Sequence, residues 1–154
     1  MAVGTVSGVS PEDQWQLITS TTASGTSMTF NSFTGYKHLW LVGKAITKNT
    51  TTHISIRPNN NSTAGNYSFG WTGGTADKFL VSSDTASAQA VSFKIYNVDQ
   101  TYPKHVACSY DNAYPSQEQD AFLDTVAVTS LVIYTYNGTS TFSGGTFYLY
   151  GIPA

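Results

Sequence analysis

The chain has 154 residues, and its 7 Lys and Arg against 9 Asp and Glu give a formal net charge of −2. So few cations exclude the basic stripe of a nucleic-acid-binding protein, and a hydrophobic fraction of 40% excludes an intrinsically disordered chain. No apolar run reaches the roughly 20 residues that a membrane-spanning helix needs, so we expect no membrane partner.

The composition favours strands and turns over helices. The chain has 22 Thr, 10 Tyr and 8 Phe, which are residue types that favour strands, together with 18 Ser and 13 Gly, which are common in turns. We therefore predict an all-β protein. No linker or change in composition divides the chain, so residues 1–154 are expected to form a single domain with a short N-terminal arm of about residues 1–13. The only helical signal is one turn at residues 10–15.

Short runs of alternating apolar and polar residues predict the strands in chain order. The predicted strands are residues 15–19, 26–31, 36–46, 52–57, 66–71, 78–82, 90–97, 105–110, 125–137 and 145–152. Within the run 125–137, the apolar residues change parity, and a β-bulge near residues 129–130 would reconcile the two halves. Asn137-Gly138 is a strong turn signal. About eight to ten short strands without crossover helices predict an antiparallel sandwich or barrel.

Motifs for catalysis and for cofactor or metal binding are lacking in this sequence. There is no Gly-x-Ser-x-Gly elbow, His-x-x-x-His pair or Cys-x-x-Cys pair. We therefore expect no catalytic residue, no metal site and no cofactor. Cys108 is expected to be a buried strand residue, and His105 should lie on the opposite face of the same strand. Calcium binding by the loop that contains Asp111, Asn112, Glu118 and Asp120 stays open, with a solvated turn as the favoured alternative.

Two polar loops with flanking aromatic residues are the predicted binding surfaces. Three consecutive asparagines cannot lie inside a sheet without leaving amides unpaired, so they belong at a loop tip. Aromatic rings beside amides suit either a protein interface or the face of a sugar. The predicted contact residues are Asn59, Asn60, Asn61, Tyr67, Trp71, Tyr110, Asn112 and Tyr114. Trp15 and Trp40 are instead expected to fill or edge the core.

Four stretches spread over most of the chain carry a family resemblance. They are Trp15-Gln-Leu-Ile, Phe33-Thr-Gly-Tyr-Lys-His-Leu-Trp-Leu, Asn60-Asn-Ser-Thr-Ala-Gly-Asn-Tyr67 and Phe142-Ser-Gly-Gly-Thr-Phe-Tyr-Leu-Tyr-Gly-Ile152. Together they resemble the small virion structural domains of tailed bacteriophages, which occur as fibre or appendage domains and as capsid decoration (cement) proteins. The resemblance lies in strand patterns, to which no chemistry is attached.

The resemblance implies a jelly-roll-like β-sandwich, commonly a homotrimer, on the surface of a virion. Because the chain has no repetitive shaft, the first hypothesis is a non-enzymatic capsid decoration protein that stabilises the shell. Its partners would be other virion proteins, such as the major capsid protein or tail and fibre proteins, after synthesis in the bacterial cytoplasm. The alternative is a tail-fibre or appendage adhesin that recognises cell-surface glycans. A carbohydrate-active enzyme is a third and weaker hypothesis.

Overall fold

All the regular elements in the described part of the chain are β-strands. The computed structural model describes residues 14–31, 33–68, 77–108 and 117–154, with only the backbone described for residues 117–120. The strands are β1 (Gln16–Thr22), β2 (Ser27–Asn31), β3 (Tyr36–Lys48), β4 (Ile54–Pro58), β5 (Tyr67–Ser68), β6 (Phe79–Leu80), β7 (Gln89–Tyr96), β8 (Lys104–Cys108), β9 (Gln117–Phe122), β10 (Ser130–Thr135) and β11 (Phe142–Pro153). The predicted arm of residues 1–13, and with it most of the predicted helical turn, lies outside the described residues.

The strands form two antiparallel sheets. The larger sheet has seven strands in the order β1-β11-β3-β7-β8-β9-β5, and the smaller has four in the order β2-β10-β4-β6. Aromatic rings connect the sheets: Phe79 of the smaller sheet lies 4.9 Å from Tyr67 and 5.5 Å from Phe93 of the larger sheet, measured between ring centroids. All three side chains are fully buried. The prediction of an all-β antiparallel sandwich is confirmed.

The predicted alternation of buried and exposed side chains is also confirmed in most strands. One parity of each strand points into the space between the sheets, because successive side chains of a strand point to opposite faces. Val91, Phe93 and Ile95, which the alternation along β7 predicts to point inward, are buried. The pairs predicted to share one face of a strand are also buried together: Leu39 and Leu41, Val106 and Cys108, Leu131 and Ile133, and Phe147 and Leu149. Only one face of the larger sheet is therefore committed to the core.

A pair of facing irregularities in β3 and β11 shifts this alternation. Ala45 has a φ of 53° and Gly145 a φ of 95°, and the register between the two strands is interrupted beside them. Before Ala45 the buried residues of β3 are odd-numbered, as at Leu41, whereas after it Ile46 and Lys48 are buried. The irregularity therefore directs the Lys48 side chain into the interior of the protein, which the sequence pattern did not predict.

Two predictions for the strands were wrong. Residues 125–129 are not part of a strand, and β10 begins only at Ser130, so the predicted bulge at residues 129–130 does not exist. Backbone contacts outside the sheet hold this segment instead, including a 2.7 Å bond from Val128 N–H to the Val98 carbonyl. The sequence also missed β9, because its residues Gln-Glu-Gln-Asp have little intrinsic preference for strands. The turn predicted at Asn137-Gly138 is confirmed, with a φ of 69° at Gly138.

Gly145→Ala should destabilise the protein much more than Gly138→Ala. Both glycines have positive φ values, so both substitutions strain the backbone. A Cβ at Gly145 would lie 2.4 Å from the Ala45 carbonyl oxygen, whereas a Cβ at Gly138 would meet nothing within 4 Å. The clash should cost a further ~1–3 kcal/mol, as overpacking typically does. Urea unfolding of both variants measures the difference, and equal losses of stability would contradict the account of the β3–β11 irregularity.

Candidate functional site

The outer face of the larger sheet carries a group of partly exposed aromatic side chains. In the central strands, Trp40 of β3 pairs with Tyr150 of β11 on one side and with Lys94 of β7 on the other. Since their neighbours along each strand are buried, these side chains point away from the core. The aromatic face, as we define it, consists of Trp15, His38, Trp40, Tyr96, His105, Tyr148 and Tyr150. None of the seven is buried.

Trp40 is at the centre of one half of the aromatic face. Its ring centroid lies 5.7 Å from that of Trp15 and 5.8 Å from that of Tyr150. The Lys94 ammonium lies 4.7 Å from the centre of the indole ring, close enough for a cation–π interaction. The indole N–H donates a hydrogen bond of 3.0 Å to the Ser92 hydroxyl. Trp40 is thus held in one orientation while part of its ring remains exposed.

Two histidines and a tyrosine form the other half. The Tyr96 ring lies 5.3 Å from the His38 ring and 5.4 Å from the His105 ring. Burial lowers the pKa of His38 below its usual value. The backbone N–H of Asn97 donates a 3.1 Å hydrogen bond to His38 Nδ1, which places the imidazole proton on Nε2. Burial and this hydrogen bond both favour the neutral form of the His38 imidazole.

This arrangement suits docking. Large aromatic side chains whose conformations are already fixed lose little entropy when a partner covers them, and they are enriched at protein interfaces. Stacking on sugar rings is a second use of the same surface. The sequence missed this site because Trp15 and Trp40 were expected to fill or edge the core. The signal was nevertheless present, since Trp40, Tyr96 and Tyr150 all alternate along their strands with apolar residues that the structure buries.

The asparagine loop that the sequence predicted to bind a partner is tied to the protein itself. The Asn59 side chain donates to the Ala127 carbonyl at 2.9 Å and accepts from the backbone N–H of Thr129 at 2.8 Å. The Asn61 amide donates to the Asp124 carboxylate at 2.6 Å. Of the three asparagines only Asn60 is exposed, and its side chain bonds no described residue. Asn59 and Asn61 thus connect the loop to the segment that precedes β10.

Tyr67 is not available to a partner in this structure. Its exposed fraction is 1%, its ring packs against Phe79 and Phe122, and its hydroxyl donates to the Asn61 carbonyl. The contact role predicted for Tyr67 is therefore corrected to a role in the core. The other four predicted contact residues, Trp71, Tyr110, Asn112 and Tyr114, lie outside the described residues, and their role stays a prediction. The structure does not place the described loop residues on the aromatic face.

Asn59→Ala should destabilise the protein, whereas Asn60→Ala should cost less. Both residues have positive φ values, 52° and 50°, so the backbone strain introduced by alanine is matched. Only the Asn59 substitution removes side-chain hydrogen bonds. It leaves partly buried backbone groups unpaired, at a cost of ~1–3 kcal/mol. Thermal and urea unfolding measure both variants. Equal stabilities would mean that the Asn59 side chain does not hold the loop.

Two lysines are buried away from the aromatic face. Lys104 is completely buried, and its ammonium donates to the carbonyls of Asp124, at 3.0 Å, and Val126. Lys48 is 3% exposed, and its ammonium has no hydrogen-bond partner among the described residues. Burial lowers the pKa of Lys48 to about 8, although the nearby Asp84 carboxylate acts in the opposite direction. A buried cation without a partner is a cost to folding.

Lys48→Met should raise the stability of the protein at pH 7 by about 1 kcal/mol or more, because it removes an unpaired buried polar group and keeps the apolar stem. The wild-type protein should recover that stability as pH rises from about 8 towards 10.5, since the unfolded chain keeps the Lys48 proton longer than the folded one does. Urea unfolding of both proteins from pH 7 to pH 10 measures the gap between them. Lys44→Met, at an exposed position of the same strand, is the control and should show no such trend. A gap that stays constant with pH would contradict this assignment.

The described residues hold no cluster of three or more His, Cys, Asp or Glu side chains that could bind a metal ion. The third histidine, His53, lies immediately before β4 of the smaller sheet. Its Nδ1 atom is 2.9 Å from the Ser82 carbonyl oxygen. Cys108 is buried and His105 exposed, as the alternation along β8 predicted. Most of the proposed calcium loop lies outside the described residues.

No helix in the described ranges is long and apolar enough to cross a membrane.

Comparisons with known proteins place the chain in no family. No protein-family model matches it, and no curated protein matches it. Among solved structures, it is similar to a chain of the Bacillus endospore appendages, which form a novel family of disulfide-linked pili. The alignment covers 97% of this chain and 100% of that chain at 10% sequence identity, with a TM-score of 0.28. A similarity this weak carries no argument about fold or function.

Proposed function

We propose that this protein is a non-enzymatic structural protein that docks onto a larger assembly through its aromatic face. The observation that carries the proposal is the partly exposed cluster of Trp15, Trp40 and Tyr150 on an ordered sheet. Rings of this size are usually covered in a soluble protein, and a contiguous exposed group is typical of an interaction site. Covering them with a partner would supply the apolar burial that stabilises an interface.

We further propose that the assembly is a bacteriophage virion and that the protein decorates its capsid. The support for this step is the sequence resemblance to small virion domains, together with the low charge of the chain. A decoration protein stabilises a shell because it binds the assembled state and not the free subunits. The aromatic face would lie against the major capsid protein, and the loop at Asn59, Asn60 and Asn61 would remain outside the contact.

A glycan-binding adhesin is the second candidate, and the same face favours it. Trp40 has a partly exposed ring beside a hydroxyl, at Ser92, and a cation, at Lys94. Such a combination can stack on a sugar ring and bind its hydroxyl groups. The capsid proposal is preferred because the aromatic face extends over four strands, β3, β7, β8 and β11, and includes Trp15 immediately before β1. An extended flat surface fits a protein better than it fits one sugar unit.

Trp40→Ala and Tyr150→Ala should each reduce binding to the virion at least about tenfold, as the loss of an aromatic hot spot does. The assay adds purified protein to virions of the phage that encodes the chain, produced without its gene, and counts bound copies by electron microscopy and gel densitometry. Tyr102→Ala is the matched control, because Tyr102 is a tyrosine with an exposed fraction of 49% outside the aromatic face. Many copies over the shell support decoration.

Three results would count against the proposal. A few copies at the tail, with binding competed by host glycans, would favour the adhesin. Normal occupancy of the shell by both aromatic variants would exclude the aromatic face as the contact surface. Hydrolysis of a cell-wall or capsule glycan by the purified protein would contradict its non-enzymatic character.

A further inference from the structure

One side of the sandwich ends in two edge strands that come from a single uncharged segment. Residues 14–36 contain no Asp, Glu, Lys, Arg or His and no Pro. This segment forms β1, at the end of the larger sheet, and β2, at the end of the smaller sheet. Six of the seven residues of β1 are exposed. Along this side, both sheets therefore end in strands whose outer edges pair with no other strand in the described part of the chain.

Edge strands of monomeric proteins are normally protected. Lysine, proline, a bulge or a very short strand prevents the free backbone groups of an edge from pairing with another chain. At the far end of the smaller sheet, β6 spans only two residues, and at the far end of the larger sheet the described part of the chain contains only two residues of β5. β1 is seven residues long and uncharged. Its one irregularity lies between Leu17 and Thr19, so residues 19–22 keep a regular register with β11.

The side chains of β1 suit pairing with an identical strand. Residues 19–22 are Thr-Ser-Thr-Thr, and Thr–Thr and Thr–Ser pairs across antiparallel strands are favourable. With no charge on the strand, two copies bring no like charges together. Leu17, with an exposed fraction of 56%, lies beside this stretch and would gain cover from the second copy.

We propose that two copies of the chain associate through antiparallel pairing of their β1 strands about a two-fold axis. A three-fold ring, which the family resemblance implies, would require β1 to meet a different edge of the next copy. The other end of the larger sheet is β5, of which the described part of the chain contains only two residues, too little backbone for a stable pairing. A two-fold contact uses the same long edge on both sides and avoids this problem.

The pairing would join the two larger sheets into one continuous sheet. Ser20 of β1 pairs with Tyr148 of β11, so its side chain lies on the same side as the aromatic face. Trp15 lies immediately before β1 and contacts Trp40. The dimer would therefore place the two aromatic faces side by side on one surface. The inference does not depend on what that surface binds.

Light scattering coupled to size-exclusion chromatography, over a series of protein concentrations, tests the proposal. The wild-type protein should approach twice the 16.6 kDa mass of one chain as its concentration rises. Thr21→Lys should weaken the dimer at least about tenfold, because it places a charge on each of two adjoining edges. Thr139→Lys makes the same substitution in an exposed turn and should leave the dimer intact.

Hydrogen exchange of the wild-type protein tests the site of contact without a substitution. Amides of residues 19–22 should exchange more slowly at a dimeric concentration than at a monomeric one. A wild-type protein that stays monomeric, a trimeric mass, or exchange at residues 19–22 that does not change with concentration would each overturn the proposal. Trp40→Ala should remain dimeric even if it no longer binds virions, so failure of the proposed function and failure of the dimer are distinguishable.

Discussion

The pairing of β3 with β11 is the constraint on which the rest of the structure depends. These are the two longest strands in the described part of the chain, of 13 and 12 residues, and they lie side by side as the third and second strands of the larger sheet. Their register places Leu41 beside Leu149 on the inner face and Trp40 beside Tyr150 on the outer face. A one-residue slip would exchange the two sets and expose the core. Core and aromatic face are therefore two results of one register.

The irregularity at Ala45 and Gly145 limits how far that register extends. Beyond it, the inward parity changes, so that Ile46 fills the core and Lys48 is buried with it. The turn between β1 and β2 is hydrogen-bonded to the same irregularity, since Ala23 N–H donates to the Gly145 carbonyl at 2.9 Å. The position of the uncharged edge is thus linked to the geometry of the central pair. A buried lysine is one cost of that geometry.

Simple alternation in the sequence was enough to predict the sandwich and a large part of its core. It succeeded wherever a strand is regular, as at Phe93 and Leu149, because burial on one face imposes a period of two. It failed where a non-local contact decides the structure. Nothing near Lys48 in the sequence indicates the glycine opposite, almost a hundred residues away. Similarly, the sequence of an asparagine-rich loop does not show that Asn59 bonds to the segment before β10, because an exposed loop tip can have the same sequence.

The prediction of the site failed for a different reason. Sequence patterns separate loops from strands well, and binding residues are often in loops, so the contact residues were sought in loops and Trp40 was expected to fill or edge the core. The outer face of a sheet is the exception, since its residues alternate with core residues and have the same composition. Only the pairing of strands shows that Trp40, Tyr96 and Tyr150 lie on one surface. This surface and the β1 edge then offer two separate contacts, one for a larger assembly and one for a second copy.

Hydroxyl-radical footprinting of the free protein and of the protein in its native assembly tests the central claim most directly. Mass spectrometry reads the oxidation rate of each aromatic side chain in both states. The account predicts that Trp40 and Tyr150 oxidise much more slowly in the assembly, whereas Tyr102 and Tyr136, which are exposed elsewhere, oxidise at unchanged rates. Equal oxidation of Trp40 and Tyr150 in the two states would contradict the claim that the aromatic face is the docking surface.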